Sequence, residues 1–310
     1  MHNIINKIIH KLSKISFSLR AKIFSLFFLK NKIGNLVSED FVHKSILIVA
    51  PHADDEFIGC YELIKAKSPQ TKIKIFLCSY LGNNTSENNK IIRTNEFVNS
   101  CTHLKVDYVI ADNTRLKDDL RNCIEDFEPD YIFLTSVIDP HYEHRKINYL
   151  LSDILKQNVR KCKIIWYPVS MPISSEYVNM IQEFNSEEKW KLFNKIYKSQ
   201  SKMHLARFQA EEKMLGRLFN TNTVESFILL TNENWVKALE NLSDDMVRTL
   251  DKIKNDGCES YLFRIYRLSR KYYQRILRNS QNNIIAENAL LIRQLNLKTM
   301  DCHATFRGSQ

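Results

Sequence analysis

The sequence predicts an α/β protein: a Rossmann-like, doubly wound and mostly parallel sheet with a mainly helical C-terminal extension. Three observations predict it. Between Ser45 and Val169, short apolar runs alternate with longer stretches of helical periodicity. Strands that alternate with helices form parallel sheets covered on both faces. After Ser170 the alternation fades and helical patterning takes over.

In chain order, "SILIVA" (Ser45 to Ala50) is a buried strand and "EFIGCYELIKAK" (Glu56 to Lys67) a helix. "KIKIFLCSY" is the second strand, and the polar loop "LGNNTSENN" leads to a helix from about Lys90 to Cys101. "VDYVIAD" and "DYIFLTSV" are the third and fourth strands, with the helix "RLKDDLRNCIEDF" between them. A helix from about Arg145 to Lys156 precedes the fifth strand, "KCKIIWYPV". Beyond it, a helical stretch runs from about Ser186 to Gly216, "VESFILL" is an edge strand, and the chain from Asn232 onward is mostly helical. This divides the chain into a basic amphipathic segment (1–40), an α/β domain (41–230) and a helical basic extension (231–310).

The 310 residues are 44% hydrophobic and carry a formal charge of +10, enough for one large core and a bias toward anionic partners. Nucleic acid rests on that charge alone. The seven Cys are scattered without a C-x-x-C pair, as in a cytosolic protein with reduced thiols. The sequence lacks a G-x-G-x-x-G or Walker-type loop, which argues against a nucleotide enzyme.

Met1 to Ser38 contains no Asp or Glu, and Ile5, Ile8, Ile9, Leu12 and Ile15 recur at helical spacing among lysines. "IFSLFFL" is too short to span a bilayer and no small-residue cleavage site follows it. The segment is either a helix packed on its own domain or a basic amphipathic helix lying on an anionic membrane. The expectation is therefore a cytoplasmic protein, with peripheral membrane attachment through residues 1–32. "FRIYRLSRKYYQRILR" (Phe263 to Arg278) is either a solvated helix face or a surface for anionic ligands.

Two charged clusters interrupt the apolar pattern. "PHADDE" (Pro51 to Glu56) directly follows the first strand, and "SVIDPHYEHRK" (Ser136 to Lys146) follows the fourth. Helix capping accounts for Asp55 and Glu56 but not for His52 or a third carboxylate. In the second cluster His141 and His144 are three residues apart, flanked by Asp139 and Glu143. Ligands bind beyond the carboxyl ends of strands in open α/β sheets, and the order 3-2-1-4-5 sets strands one and four side by side at the switch point. That order brings the two clusters together. Two imidazoles and a carboxylate can then bind one zinc and leave a position open.

"PHADDE" followed by "HYEH" resembles the PIG-L/LmbE family of zinc-dependent N-deacetylases, whose motifs are usually P-H-P-D-D-E and H-x-x-H. "RTNE" (Arg93 to Glu96) resembles the family's R-x-x-E, "EPDYIFLTS" its strand before the second motif, "YKSQ" (Tyr197 to Gln200) its Y-x-S-Q and "VESF" its late E-x-F. The resemblance implies His52, Asp55 and His144 as zinc ligands and Asp54 as the general base. It implies His141 as a protonated or hydrogen-bonding stabiliser of the oxyanion, Arg93 as a substrate contact, and Glu143 as a partner orienting an imidazole. Ala53 stands where the family has Pro, and Glu143 where it has Asp. The implied function is removal of an N-acetyl group from an N-acetylglucosaminyl-type glycoconjugate, with Zn2+ as cofactor. Either Asp54 or His141 would then protonate the leaving amine. A metal-dependent phosphoesterase and a non-catalytic carbohydrate-binding member of the same fold are the alternatives.

Overall fold

In the computed structural model, residues 39–67, 69–78, 86–156, 162–201, 203, 205–256 and 262–278 are described, with residues 19 and 36. The expected N-terminal helix, most of the "LGNNTSENN" loop and the chain beyond 278 lie outside them. One seven-stranded sheet runs in the order β3-β2-β1-β4-β5-β7-β6. Its strands are β1 (Ser45–Ala50), β2 (Lys72–Leu77), β3 (Asp107–Ile110), β4 (Tyr131–Thr135), β5 (Lys163–Tyr167), β6 (Met180–Glu183) and β7 (Val224–Leu230). The first five are parallel, in the predicted order, and β7 pairs antiparallel with both β5 and β6.

Alternation along β1 shows why both faces must be covered. Leu47 and Val49 enter one apolar core and Ile46, Ile48 and Ala50 the other, all essentially inaccessible. Helices α1 (Asp55–Lys65), α2 (Glu87–Leu104) and α5 (Ser186–Ile196) supply buried residues to the second core. Helices α3 (Leu116–Phe127) and α4 (Tyr142–Leu155) supply the first. Three further helices join that first core: α7 (Asn232–Glu240), α8 (Asp244–Asp256) and α9 (Leu262–Ile276). Their Trp235, Met246, Leu250, Ile253, Tyr266 and Tyr273 are at most 1% exposed. The extension therefore shares one core with the sheet.

Two expectations need correction. The predicted single helix from Ser186 to Gly216 is two, α5 and α6 (Leu205–Leu218), with a 3-10 turn at Lys198–Gln200 between them. The turn is where "YKSQ" lies, and its side chains are drawn into contacts described below. "VESFILL" is not the edge: β6, too short and irregular to stand out in the sequence, covers it.

Helix α1 is kinked at Cys60, which has φ −136° and ψ 16°. The cause is an ion pair inserted into its hydrogen-bond ladder. The Ile58 carbonyl accepts from Lys189 Nζ at 2.7 Å, and the freed N–H groups of Glu62 and Leu63 donate to Glu225 at 3.0–3.3 Å. Lys189, wholly buried, also lies 2.9 Å from Glu225 and 3.0 Å from Glu212. Replacing one partner of a buried ion cluster leaves uncompensated charge, at a cost of about 3–5 kcal/mol. Lys189→Met is therefore expected to lower the unfolding free energy by that amount in urea titrations. Without the ammonium, burial raises the folded-state pKa of Glu212 and Glu225, so the penalty grows as pH rises above the unfolded carboxylate value of about 4.3. The defect should be larger at pH 8 than at pH 5, and equal defects would contradict this account.

Candidate active site

The parallel order sets the loop after β1 beside the loop after β4 at the carboxyl end of the sheet. Here His52 Nδ1, His144 Nε2 and Asp55 Oδ2 converge. The two nitrogens are 2.9 Å apart, and the carboxylate oxygen lies 3.3 Å from the first and 3.1 Å from the second. Asp55 Oδ2 also accepts the His52 backbone N–H at 2.8 Å, which fixes the loop around it. Donor atoms about 2 Å from a common tetrahedral zinc are separated by about 3.3 Å, so these three fit one metal ion. Charge fits as well. Burial opposes ionisation of Asp55, but His144 and His52 outweigh it and hold the carboxyl well below its usual range. Burial likewise opposes protonation of His144, but Asp55 and Asp139 outweigh it and push the imidazole up to about 10.

His52, His141 and His144 form a second possible donor group, with one atom of each within 4.8 Å of the others. The set containing Asp55 is tighter and includes an anion. The Nε2 of His141, moreover, is 2.9 Å from Lys254 Nζ. We therefore take His52, Asp55 and His144 as the better-fitting metal donors and His141 as their neighbour. Its ring stacks on His144 at 5.0 Å. Burial, then the His144 charge, with Lys254 and His52 adding to it, bring the His141 imidazole down to about 3 against the pull of Asp139. Of the two states expected for His141, its surroundings favour the neutral, hydrogen-bonding one.

The carboxylate in contact with the His144 imidazole on this side is Asp139, not Glu143 as expected. Asp139 Oδ1 lies 3.2 Å from His144 Nδ1 and accepts the His141 backbone N–H at 2.9 Å. Its Oδ2 accepts the Ser170 and Met171 N–H groups at 2.8 and 3.3 Å. Glu143, in the first turn of α4, has neither a hydrogen bond nor an ion pair among the described residues. The helix carries residue 143 past the imidazole, whereas residue 139 still belongs to the loop that wraps it. Asn148, one turn beyond His144, donates to the Thr135 and His144 carbonyls and accepts from Trp166 and Trp235. This ties α4 to β4, β5 and α7.

The other two carboxylates of "PHADDE" are also buried. Asp54 precedes α1 with φ 140°, a conformation costly for any residue with a Cβ. It is held there by its N–H donating to Glu56 at 3.2 Å and by its carbonyl accepting from Phe57 and Ile58. Burial, with the charges of Asp55 and Glu56, keeps the Asp54 carboxyl well above its ordinary value despite Arg93, which lies 3.2 Å away. Arg93 also donates to the Ala53 carbonyl at 2.7 Å. The Gln200 amide, with its oxygen toward the guanidinium, accepts from Arg93 Nη1 at 3.0 Å. Glu56, raised to about 7 mainly by burial, accepts from the Tyr197 hydroxyl and from Ser100 at 3.3 Å. Glu96 accepts the Ser199 N–H at 2.8 Å. Capping thus explains Glu56 only in part, through its bond from the Asp54 N–H, and Asp55 turns instead to the His52 N–H and the two imidazoles.

The structure brings together His52, Asp54, Asp55, Arg93, His141 and His144, and leaves Glu143 apart. Sequence reasoning missed the contact of Asp139 with His144, the hub at Asn148 and the approach of Lys254. Asp139 had a visible signal, a carboxylate two residues before the first His of the pair. Asn148 and Lys254 had none.

The sequence model of PIG-L, described as GlcNAc-PI de-N-acetylase, matches residues 47–155. That span contains "PHADDE", "RTNE" and "HYEH" but neither "YKSQ" nor "VESF". No curated protein sequence matches the chain. Among solved structures, N,N'-diacetylchitobiose deacetylase from Pyrococcus horikoshii aligns at 19% identity and a TM-score of 0.49, covering 62% of this chain and 85% of that one. The conserved protein TT1542 from Thermus thermophilus aligns at 20% identity and a TM-score of 0.49, over 60% and 94% of the two chains. A triple mutant of a deacetylase of the teicoplanin biosynthetic pathway aligns at 13% identity and a TM-score of 0.46, over 60% and 98%.

Carboxylates that orient a ligating imidazole typically change metal affinity 10- to 100-fold when removed. Asp139→Asn is expected to weaken Zn2+ binding by about that factor in calorimetric titrations, and Glu143→Gln to leave it within twofold. The reverse ranking would return the orienting role to Glu143.

Proposed function

We propose that the chain is a zinc-dependent hydrolase that removes the N-acetyl group from an amino-sugar glycoconjugate of the N-acetylglucosaminyl type. The observation that carries this reading is the convergence of His52, Asp55 and His144 donor atoms within 2.9–3.3 Å, beside a second buried carboxylate on Asp54. The printed function of the matching family, de-N-acetylation of a GlcNAc conjugate, supports the substrate class. Asp54 turns to Arg93 and Glu56 to Tyr197, so neither carboxylate is set out to share a second ion, as a two-metal phosphoesterase would require.

Zinc held by His52, Asp55 and His144 would lower the pKa of an attacking water to about 7 and polarise the amide carbonyl. The other work falls to side chains of this chain. Asp54 accepts the water's proton, a contribution typically worth about 100- to 10,000-fold. His141, neutral, donates a hydrogen bond to the oxyanion as charge develops there. Asp54 then returns its proton to the amine nitrogen as the C–N bond breaks, giving acetate and the free amino sugar. The fixed Arg93 guanidinium holds Asp54 in place and offers its remaining exposed edge to substrate hydroxyls.

The test is acetate release from a panel of N-acetylglucosaminyl compounds together with bound zinc. Asp55→Asn, like His52→Ala or His144→Ala, should lose most of the zinc. Asp54→Asn should keep it while turnover falls at least 100-fold. Equal zinc loss in the two Asn variants would refute this division of labour.

We further propose that Met1 to Lys32 attaches this otherwise cytoplasmic protein to an anionic membrane surface, near lipid-linked substrates. Each Lys or Arg near such a surface contributes about 1 kcal/mol, screened by salt. Apolar burial of the Ile and Phe face adds attraction that salt leaves intact. No described helix is long and apolar enough to cross a membrane. In flotation assays, the full chain should bind anionic liposomes and a chain starting near Ser38 should not. Equal binding by both, or by neither, would exclude the anchor.

A further inference from the structure

Lys254 reaches the site from the C-terminal extension, which no motif connects to the chemistry. It lies on α8, whose Met246, Leu250 and Ile253 are buried at 0–1% exposure and dock the helix against the first core. One helical turn before Lys254, Asp251 pairs with Arg145 Nη2. Arg145 is itself buried and donates through Nη1 to the Asp139 and Pro140 carbonyls at 2.8 Å each. Helix α9 grips the same loop from another side. Tyr273 donates to Ser136 Oγ at 2.8 Å, and Ser269 donates to the carbonyl of Pro172, in the separate loop after β5, at 2.6 Å. The loop carrying His141 is thus bolted to two helices of the extension.

On that mount, the Lys254 ammonium is exposed and 2.9 Å from His141 Nε2. Among the described residues it has no carboxylate partner, whereas Arg145, which pairs with Asp251 on the same helix, has one. An ammonium has three donors and no acceptor. His141 Nε2 must therefore be the acceptor, and the single proton of the neutral ring resides on Nδ1. The backbone N–H of the same residue is pinned to Asp139 Oδ1. The residue is held at its backbone N–H and at ring Nε2, and the ring hydrogen is left on a defined nitrogen.

We propose that Lys254 is a positioning residue: it fixes the tautomer and ring orientation of His141, so that the helical extension completes the active site. The consequence for turnover rests on the deacetylase reading, but the consequence for the imidazole does not. With Lys254 in place, Nδ1–H is the hydrogen His141 can give to an oxyanion. Without it the ring is free to exchange tautomers and to turn, and misplacement of a reacting group by about 1 Å costs on the order of 100-fold.

The experiment uses the full-length chain, uniformly 15N-labelled, and reads the ring nitrogens of His141 by long-range 1H–15N correlation. The signals are assigned by their disappearance in His141→Gln. The wild type should show a protonated Nδ1 and an unprotonated Nε2. Lys254→Met should lose that preference, and Lys254→Arg, which keeps a donor, should retain it. The same tautomer in wild type and Lys254→Met overturns the proposal, whether or not the protein deacetylates anything. Where the wild type releases acetate, Lys254→Met should lower kcat about 10- to 100-fold, with KM and zinc content within twofold and partial recovery in Lys254→Arg. An unchanged kcat, or a loss confined to KM, also overturns it. A wild type inert toward every N-acetyl sugar defeats the deacetylase reading alone and leaves the imidazole spectrum to decide.

Discussion

Three consecutive carboxylates, Asp54, Asp55 and Glu56, are buried at the start of α1, and each has to be matched by a partner. Unpaired charge in a protein interior is too costly to persist, so the surroundings are arranged to supply those partners. The loop after β4 brings His144 to Asp55. Helix α2 brings Arg93 to Asp54 and Ser100 to Glu56. The 3-10 turn brings Tyr197 to Glu56, and places Gln200 on Arg93 and Ser199 on Glu96. Segments more than a hundred residues apart in sequence are held together by the ion pairs and hydrogen bonds that one helix turn requires.

The parallel sheet makes this arrangement possible. Strands β1 and β4 are neighbours because the chain crosses over β1 after completing β3, and the crossover leaves two loops facing each other beyond the same strand ends. The antiparallel pair β7 and β6 then extends the sheet, and Glu225 from β7 reaches back into α1. Sheet and site are linked at both ends of that helix.

Much of this was legible in the sequence. The five parallel strands and their order follow from apolar runs with regular spacing, because strands buried on both faces leave an unbroken apolar signal. His52, Asp54, Asp55, His141 and His144 were legible because charge at a strand end is anomalous. The break between α5 and α6 was not, since Tyr197, Ser199 and Gln200 interrupt the helix only through partners on α1 and α2. Strand β6 was not, because Met180–Glu183 is stabilised by its pairing with β7 rather than by its own composition. Lys254 was illegible for a similar reason. A lysine near the end of an amphipathic helix is ordinary until tertiary packing sets it against an imidazole.

The ion pair wedged into α1 at Cys60 has an evolutionary corollary. An ordinary helix can be altered one residue at a time, since its ladder closes within itself. Here the Ile58 carbonyl and the Glu62 amide find their partners on α5 and β7, so Lys189 and Glu225 act as rungs of a helix to which neither belongs. A lineage that lost one of them would gain by losing the other and letting the ladder close. Closure would straighten the helix and re-aim the turn that bears Asp55. Drift at two positions remote from the imidazoles is therefore constrained as a pair, and relatives in which α1 runs straight should also differ in how their second aspartate meets the two histidines.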